Sequence, residues 1–464
     1  MTRALQIGAI AVVLAASLLV AFDLDRFLVP KELVLHVTAV IAGLLTIRAA
    51  RRPSSIDKLL VAYLALTALS LLFAQNRWLG FRALAITASG IVLFWSVRAL
   101  DEQRVINGLA LAIVVSSTTC LVQAYGLHSP FFASTRAPGG TLGNRNFVAH
   151  AAAFGLPLLF FAAERARRYW FPLIGIAIVS ASLVLTRSRA AWLATAAMVV
   201  VYVIFTPWSK RLAGIAIFAA AGIVAALLIP NALRWNSENP YLDSVRGMMN
   251  GRGRLTQYER SLVMAIKHPI LGVGAGNWPV AYPREVRGRE DPSLSDTNAG
   301  MTTNPWPSSD WVACVSERGF ITLFVVIMIF ITLARQRSGA LFGVLAATAV
   351  AGAFDAVLLL PLPTLIVWCA LGALSGAAAP SPPHGGEAPP PHREPSRAII
   401  LLAILISLAG VARSTAQLIA MEIYSTSNNR KSLELAARID PGNYRLQLRL
   451  GHRRAAHELF PNAK

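Results

Sequence analysis

The sequence carries little charge for its size. Only 14% of its 464 residues are Asp, Glu, Lys or Arg, against roughly 25% in soluble domains, while 55% are hydrophobic. That deficit excludes a water-soluble enzyme and assigns the chain to lipid. Cysteine is scarce too. Cys120, Cys314 and Cys369 form no CxxC pair and fall in or beside apolar runs, so they point to no metal site and identify no redox compartment. No small-residue cleavage site follows the apolar N-terminal run and more spans follow it, so an uncleaved first helix is expected. The glycines at 272, 274 and 276 lack a preceding strand and the downstream pattern of a nucleotide fingerprint, and read as a flexible turn. A basic stripe interleaved with aromatics is also missing. The net charge of +20 therefore implies no nucleic-acid partner.

What the chain does have is apolar runs near twenty residues long, the signature of bilayer-spanning helices. They fall at 4–22, 27–47, 57–74, 84–97, 106–126, 147–163, 171–186, 190–205, 212–230, 310–334, 340–360, 361–378 and 398–411. Basic residues gather between alternate runs, at Arg48, Arg51 and Arg52, at Arg98 and Arg104, at Arg165, Arg167 and Arg168, at Lys210 and Arg211, and at Arg335 and Arg337. Such clusters mark the cytoplasmic ends of helices, which puts the N-terminus inside and, with an odd number of spans, the C-terminus outside. The expected fold is an all-α polytopic membrane protein of about 12–13 transmembrane helices.

A transmembrane domain is expected over 1–378, interrupted by one long outside-facing polar loop, 231–309. Residues 379–397 form a cytoplasmic proline-rich linker containing His384 and His392, which are not expected to bind metal. A last transmembrane helix follows at 398–414. The tail, 415–464, carries an Asp440-Pro441 turn between leucine-spaced segments and reads as a single tetratricopeptide-like repeat. One repeat cannot bury its own face, so the tail must dock on the rest of the chain or on a protein partner outside.

The large loop collects Arg252, Arg254, Arg260, Lys267, Arg284, Arg287 and Arg289, and an amphipathic helix is expected from Arg254 to a stop at His268-Pro269. Arg136 and Arg145 in the loop 127–146, and Arg187 and Arg189 between two spans, also face outside, against the orienting rule, and so suggest function. Glu317 and, with a weaker signal, Asp355 are ionisable residues inside spans, where a charge is costly and usually faces a polar cavity. Arginine's planar fork suits diphosphate, and a diphosphate at a membrane surface belongs most naturally to a lipid-linked sugar. Most spans are bare of charge, which disfavours a transport path.

Three segments resemble the O-antigen ligase and polymerase superfamily of bacterial inner-membrane glycosyltransferases: Gly140-Thr141-Leu142-Gly143-Asn144-Arg145-Asn146-Phe147, Leu185-Thr186-Arg187-Ser188-Arg189-Ala190-Ala191-Trp192-Leu193, and Arg254 with Tyr258 followed by 268–278. The resemblance implies transfer of a glycan from undecaprenyl diphosphate to a glycan, lipid A-core or protein hydroxyl at the periplasmic face of the inner membrane, as in lipopolysaccharide biosynthesis. It implies an inverting reaction with no metal and no cofactor. Arg189 and Arg254 would hold the diphosphate, with Arg187 and Arg145 as helpers. The family places a catalytic His just before the span after the large loop, and Ser308 stands there instead. Serine is no base at neutral pH, so either Asp310 or Glu317 takes that role, or departure of the diphosphate carries the reaction with little base help, or the chain is a non-catalytic assembly protein; His268 and His150 are spare candidates.

Overall fold

A computed structural model describes residues 2–22, 24–48, 55–132, 136–166, 170–233, 241, 252–286, 307–336, 338–377 and 397–461. Arg51, Arg52, Arg167, Arg168, Arg287, Arg289, Arg337, the segment 304–306 and linker residues 379–396 with His384 and His392 lie outside the described residues. The helices are α1 (Thr2–Leu14), α2 (Asp25–Thr46), α3 (Ser55–Ser70), α4 (Arg77–Val97), α5 (Glu102–Ala124), α6 (Arg145–Arg165), α7 (Trp170–Thr186), α8 (Arg189–Phe205), α9 (Lys210–Leu228), α10 (Arg252–Lys267), α11 (Trp278–Val286), α12 (Asp310–Ala334), α13 (Gly339–Phe354), α14 (Pro361–Ala377), α15 (Arg397–Thr426), α16 (Arg430–Ile439), α17 (Tyr444–Arg449) and α18 (Arg453–Leu459). Among the described residues there is no strand. The chain is an all-α polytopic membrane protein.

Eight of these helices are long and apolar enough to cross a membrane, and five shorter apolar ones (α1, α7, α8, α13, α14) bring the set to thirteen. Each coincides with one of the thirteen apolar runs of the sequence. Hydropathy is a local property of each run, and in lipid the helix is the way a lone segment satisfies its own backbone. The bundle is centred on α4 and α6, whose apolar windows are 89% buried, while α9, 22% buried, runs along its edge. α13 packs along α8, α9 along α7, and α15 across α2 and α4.

The ends of the bundle follow the expected alternation. At one end Arg165 pairs with Glu102 at 2.9 Å and Arg98 with Asp57 at 2.7 Å, joining turns expected inside. At the other end meet the α1–α2 turn, the α3–α4 turn, the loop 127–146, the large loop and the tail. There Arg26 donates to the Pro130 carbonyl at 2.9 Å, the Asn76 amide to Asn277 Oδ1 at 2.7 Å, and the Trp78 indole to Asp440 at 2.6 Å.

Three details depart from the sequence expectation. The first helix stops at Leu14, not at 22. Buried Lys31 donates to the Ala15 carbonyl and the Thr141 hydroxyl to the Val13 carbonyl at 2.8 Å, taking acceptors that a continuing helix needs. The last apolar helix runs unbroken to Thr426, past the expected boundary at 414. The glycine turn is packed, not loose. Gly272, Gly274 and Gly276 have φ of +64°, +99° and +71°, and the Val273 and Gly274 amides donate to the carbonyls of Ser316 and Glu317 at 2.9 and 3.0 Å. The same contact interrupts α12 at Gly319 (φ +81°), where a side chain would begin 2.1 Å from the Ile270 carbonyl oxygen.

The tail docks on its own chain. α16 and α17 bury Leu433, Ala436 and Leu446 against Ala420 of α15, and Phe460 packs with Val280 of α11. Gln75 donates to the Glu458 carbonyl at 2.5 Å and Arg445 to the Ala21 carbonyl at 2.8 Å.

Candidate active site

The site is built where α8, α10, α6 and the α13–α14 link converge at that same end. Thr186 closes α7, and Arg187, with a φ of +54°, turns the chain left-handed. Such a conformation costs a non-glycine residue about 1–2 kcal/mol, and here it lets Ser188 and Arg189 open α8 at once. Arg189 thereby stands on the first turn of a helix, half-buried.

Arg254 comes from α10, the only described loop helix whose arginine reaches it. Of the other basic residues of the loop, Lys267 pairs with Glu285 at 2.7 Å and Arg260 lies 3.5 Å from Glu259. One turn beyond Arg254, the Tyr258 hydroxyl donates to the Ala353 carbonyl at 2.7 Å, with the Ser308 carbonyl at 3.1 Å. Burial raises the Tyr258 phenol above its ordinary pKa, with the Arg254 charge opposing, so the hydroxyl stays a donor. Ser308 Oγ donates to Gln257 Oε1 on the same helix. α10 is therefore clamped to the start of α12 and the end of α13, and Arg254 is fixed in height. Its charge acts on Arg189, so the two guanidiniums repel each other. Among the described residues neither has a hydrogen-bond or ion-pair partner. Two unpaired cations held together are an anion site by charge and by geometry.

Asp355 and His150 complete the cluster. Asp355 ends α13, and its carboxylate lies 3.9 Å from Nε2 of His150, which sits in the second turn of α6 with its side chain fully buried. Neither ring nitrogen of His150 has a hydrogen-bond partner. The charges of Asp355 and Arg254 both act on His150. Asp355 is a quarter exposed and is the face of this pair that an incoming group can reach.

The two carboxylates singled out in the sequence have other partners. Asp310 accepts from the backbone amides of Val357 at 2.9 Å and Leu358 at 3.1 Å, tying the first residue of α12 to the α13–α14 link. Glu317 accepts from the amides of Trp278 at 3.0 Å and Gly276 at 2.9 Å, closing the glycine turn. Arg145 opens α6 after the N-cap Asn144 and shares its surroundings with Arg136, while Arg187 acts on Tyr241. Arg189 and Arg254 are thus brought together, with Arg145 and Arg187 at the same end of the bundle but outside the pair's closest contacts. His268 ends α10 at the glycine turn.

A cavity of about 270 Å³ lies nearby, walled by α2, α4, α12, α14 and α15 and roofed by the tail. Arg189 and Arg254 do not line it. Asp310 belongs to both regions, since it lines the cavity and feels the charge of Asp355. Among the described residues no group of three or more His, Cys, Asp or Glu is placed to hold a metal.

The O-antigen ligase family model matches residues 174–304, from α7 through the large loop. That segment is similar to the O-antigen ligase family. The match includes both Arg189 and Arg254, whereas His150, Asp310, Glu317 and Asp355 stand outside it. No curated protein matches the chain. The match supports an O-antigen ligase-type function in general terms. The Tyr258 clamp and the Asp355–His150 pair were not evident from sequence. Tyr258 enters the sequence reading only beside Arg254 in the third family-like segment, four residues away on a helix, and the other two are far apart in the chain.

Proposed function

We propose that this protein transfers a glycan from undecaprenyl diphosphate to an acceptor hydroxyl at the periplasmic face of the inner membrane, as an O-antigen ligase. The observation that carries the reading is the unpaired guanidinium pair, Arg189 with Arg254, inside the matched segment. The diphosphate lies between these two forks, with Arg145 and Arg187 on its flank. As the bond from the sugar's anomeric carbon to the diphosphate oxygen breaks, negative charge builds on the leaving group, and preplaced cations stabilise it most at that moment. The acceptor oxygen bonds to the opposite face of the anomeric carbon, which inverts it, and its proton passes to a carboxylate. Two guanidiniums supply the charge this step needs, so the reading includes no metal and no cofactor.

For the proton acceptor we assign Asp355, backed by His150, in place of the histidine that Ser308 replaces. Asp310 and Glu317, each holding two backbone amides, keep the frame of the site. The acceptor is a glycan, a lipid A-core or a protein hydroxyl. A polymerase or a protein O-oligosaccharyltransferase would use the same arginine pair and differ in product. The tail spends its apolar face on α15 and α11, and we assign it to covering the cavity; a periplasmic protein partner would have to use its outer face.

The test is transfer by the purified full chain, reconstituted with an undecaprenyl-diphosphate oligosaccharide. Arg254→Ala and Arg189→Ala are each expected to lower the rate by about 10²-fold or more. Transfer at the parental rate by both variants overturns the reading. Product size and attachment then separate ligase, polymerase and protein-glycosylating activity.

A further inference from the structure

The cavity beneath the tail holds one buried guanidinium that is short of hydrogen-bond acceptors. Five carboxylates line it, and each is engaged. Glu32 is held by Arg82 and faces Arg413 at 3.8 Å; Asp310 and Glu317 hold backbone amides; Asp440 accepts from the Trp78 indole at 2.6 Å and Asn443 at 2.9 Å; Asp25 feels Arg445 and Arg82. Three of the four guanidiniums are engaged as well. Arg82 holds Glu32, Arg413 donates to the Trp78 carbonyl at 3.2 Å and Gln417 at 3.0 Å, and Arg445 donates to the Ala21 carbonyl.

Arg318 is engaged only in part: the charges of Glu317 and Asp310 act on it, but most of its N–H groups find no acceptor. It is 5% exposed and lines the cavity from the end of the first segment of α12. Its Nη1 donates to the Tyr63 hydroxyl at 3.2 Å, the Cys314 thiol lies beside it, and its Nε and Nη2 make no hydrogen bond. A buried guanidinium with three N–H groups unmet is costly unless something in the cavity accepts from them. The floor below it is of the opposite character, formed by Val326, Ile329, Phe330, Val367, Trp368 and Leu371. At about 270 Å³ the space is near the lower end of the range for ligand sites, enough for a head group and the first carbons of a chain but not for a whole lipid.

We propose that this cavity is a second anion site, in which Arg318 holds a phosphate- or carboxylate-class head group while the apolar floor takes the start of an attached chain. It is separate from the Arg189–Arg254 pair, which does not line it, and it does not depend on the transfer reading. The tail, through Asp440, Asn443 and Tyr444, forms its roof.

Binding is measured on the full chain in phosphatidylcholine nanodiscs, by titrating three probes: dihexanoyl phosphatidic acid, dihexanoyl phosphatidylcholine and inorganic phosphate. Phosphatidic acid is expected to saturate a single site at least tenfold tighter than the neutral-headed probe. Arg318→Gln is expected to weaken it at least tenfold, Arg318→Lys less, and Arg254→Ala not at all. Inorganic phosphate binding as tightly as phosphatidic acid, with the same loss in Arg318→Gln, supports the anion site and makes free phosphate its source. Equal binding of anionic and neutral heads, or unchanged binding in a folded Arg318→Gln variant, overturns the proposal. Should Arg318→Gln fail to fold, phosphatidic acid with a photoreactive chain is cross-linked to the parent protein. Adducts on 326–330 or 367–371 support the site, and adducts confined elsewhere overturn it.

Discussion

Asp355 and Glu317 are both carboxylates at the outer end of the bundle, yet their contacts separate their roles. Asp355 has one oxygen on the amide of Ala356 and the other facing His150, and it is open to an approaching hydroxyl. Asp355→Asn is therefore expected to lower kcat by about 10²-fold, with KM for the lipid-linked donor little changed. A change confined to KM would assign Asp355 to binding. Glu317 has both oxygens on backbone amides inside a packed turn. Glu317→Gln leaves one of those amides facing an NH2 group and is expected to destabilise by roughly 1–3 kcal/mol, seen as a lower thermal midpoint in detergent. Its residual activity, measured well below that midpoint, should stay within a few-fold of the parent. The difference between these two residues was not legible in the sequence, because it depends on partners in the large loop and in α6 that only the fold supplies.

At the scale of elements, the helices were legible and their junctions were not. Each span announces itself within its own twenty residues, and the helix of the large loop does so through apolar spacing and His268-Pro269. The stop at Leu14 is dictated by Lys31 and Thr141, and the glycine turn is dictated by Ala74, Leu79 and Glu317, all remote in sequence. The arginine pair was half legible: the motifs nominate Arg189 and Arg254, but only the Tyr258 clamp explains why they meet. Tyr258→Phe removes the donor to Ala353 and Ser308 and is expected to raise KM for the donor several-fold while leaving the fold intact by circular dichroism. Gly319→Ala asks a residue at φ +81° to place a methyl against the Ile270 carbonyl. It is expected to cost more than the 1–2 kcal/mol of left-handed strain alone, and to appear as poor yield of folded protein.

For the molecule as a whole, thirteen apolar helices supply a stiff bundle, and the polar chemistry sits at one end, under segments that arrive from four different parts of the chain. The α10 helix joins that end in an unusual way. Its polar Gln257 and Ser261 point inward and are buried, while Leu255, Leu262 and Ile266, followed by Ile270, are 47–65% exposed. Such an outward face is what a helix at a bilayer surface presents to acyl chains. Arg254 is thus carried by a clamped helix with an apolar outer face, while Arg189 is carried by the first turn of an apolar helix of the bundle. The gap between them acts as a caliper at the outer end of the bundle, and hydrophobic mismatch should strain the Tyr258 clamp that sets it. Transfer rates in nanodiscs of graded acyl length are expected to peak at one thickness, and serine at Leu255, Leu262 and Ile266 should flatten that peak.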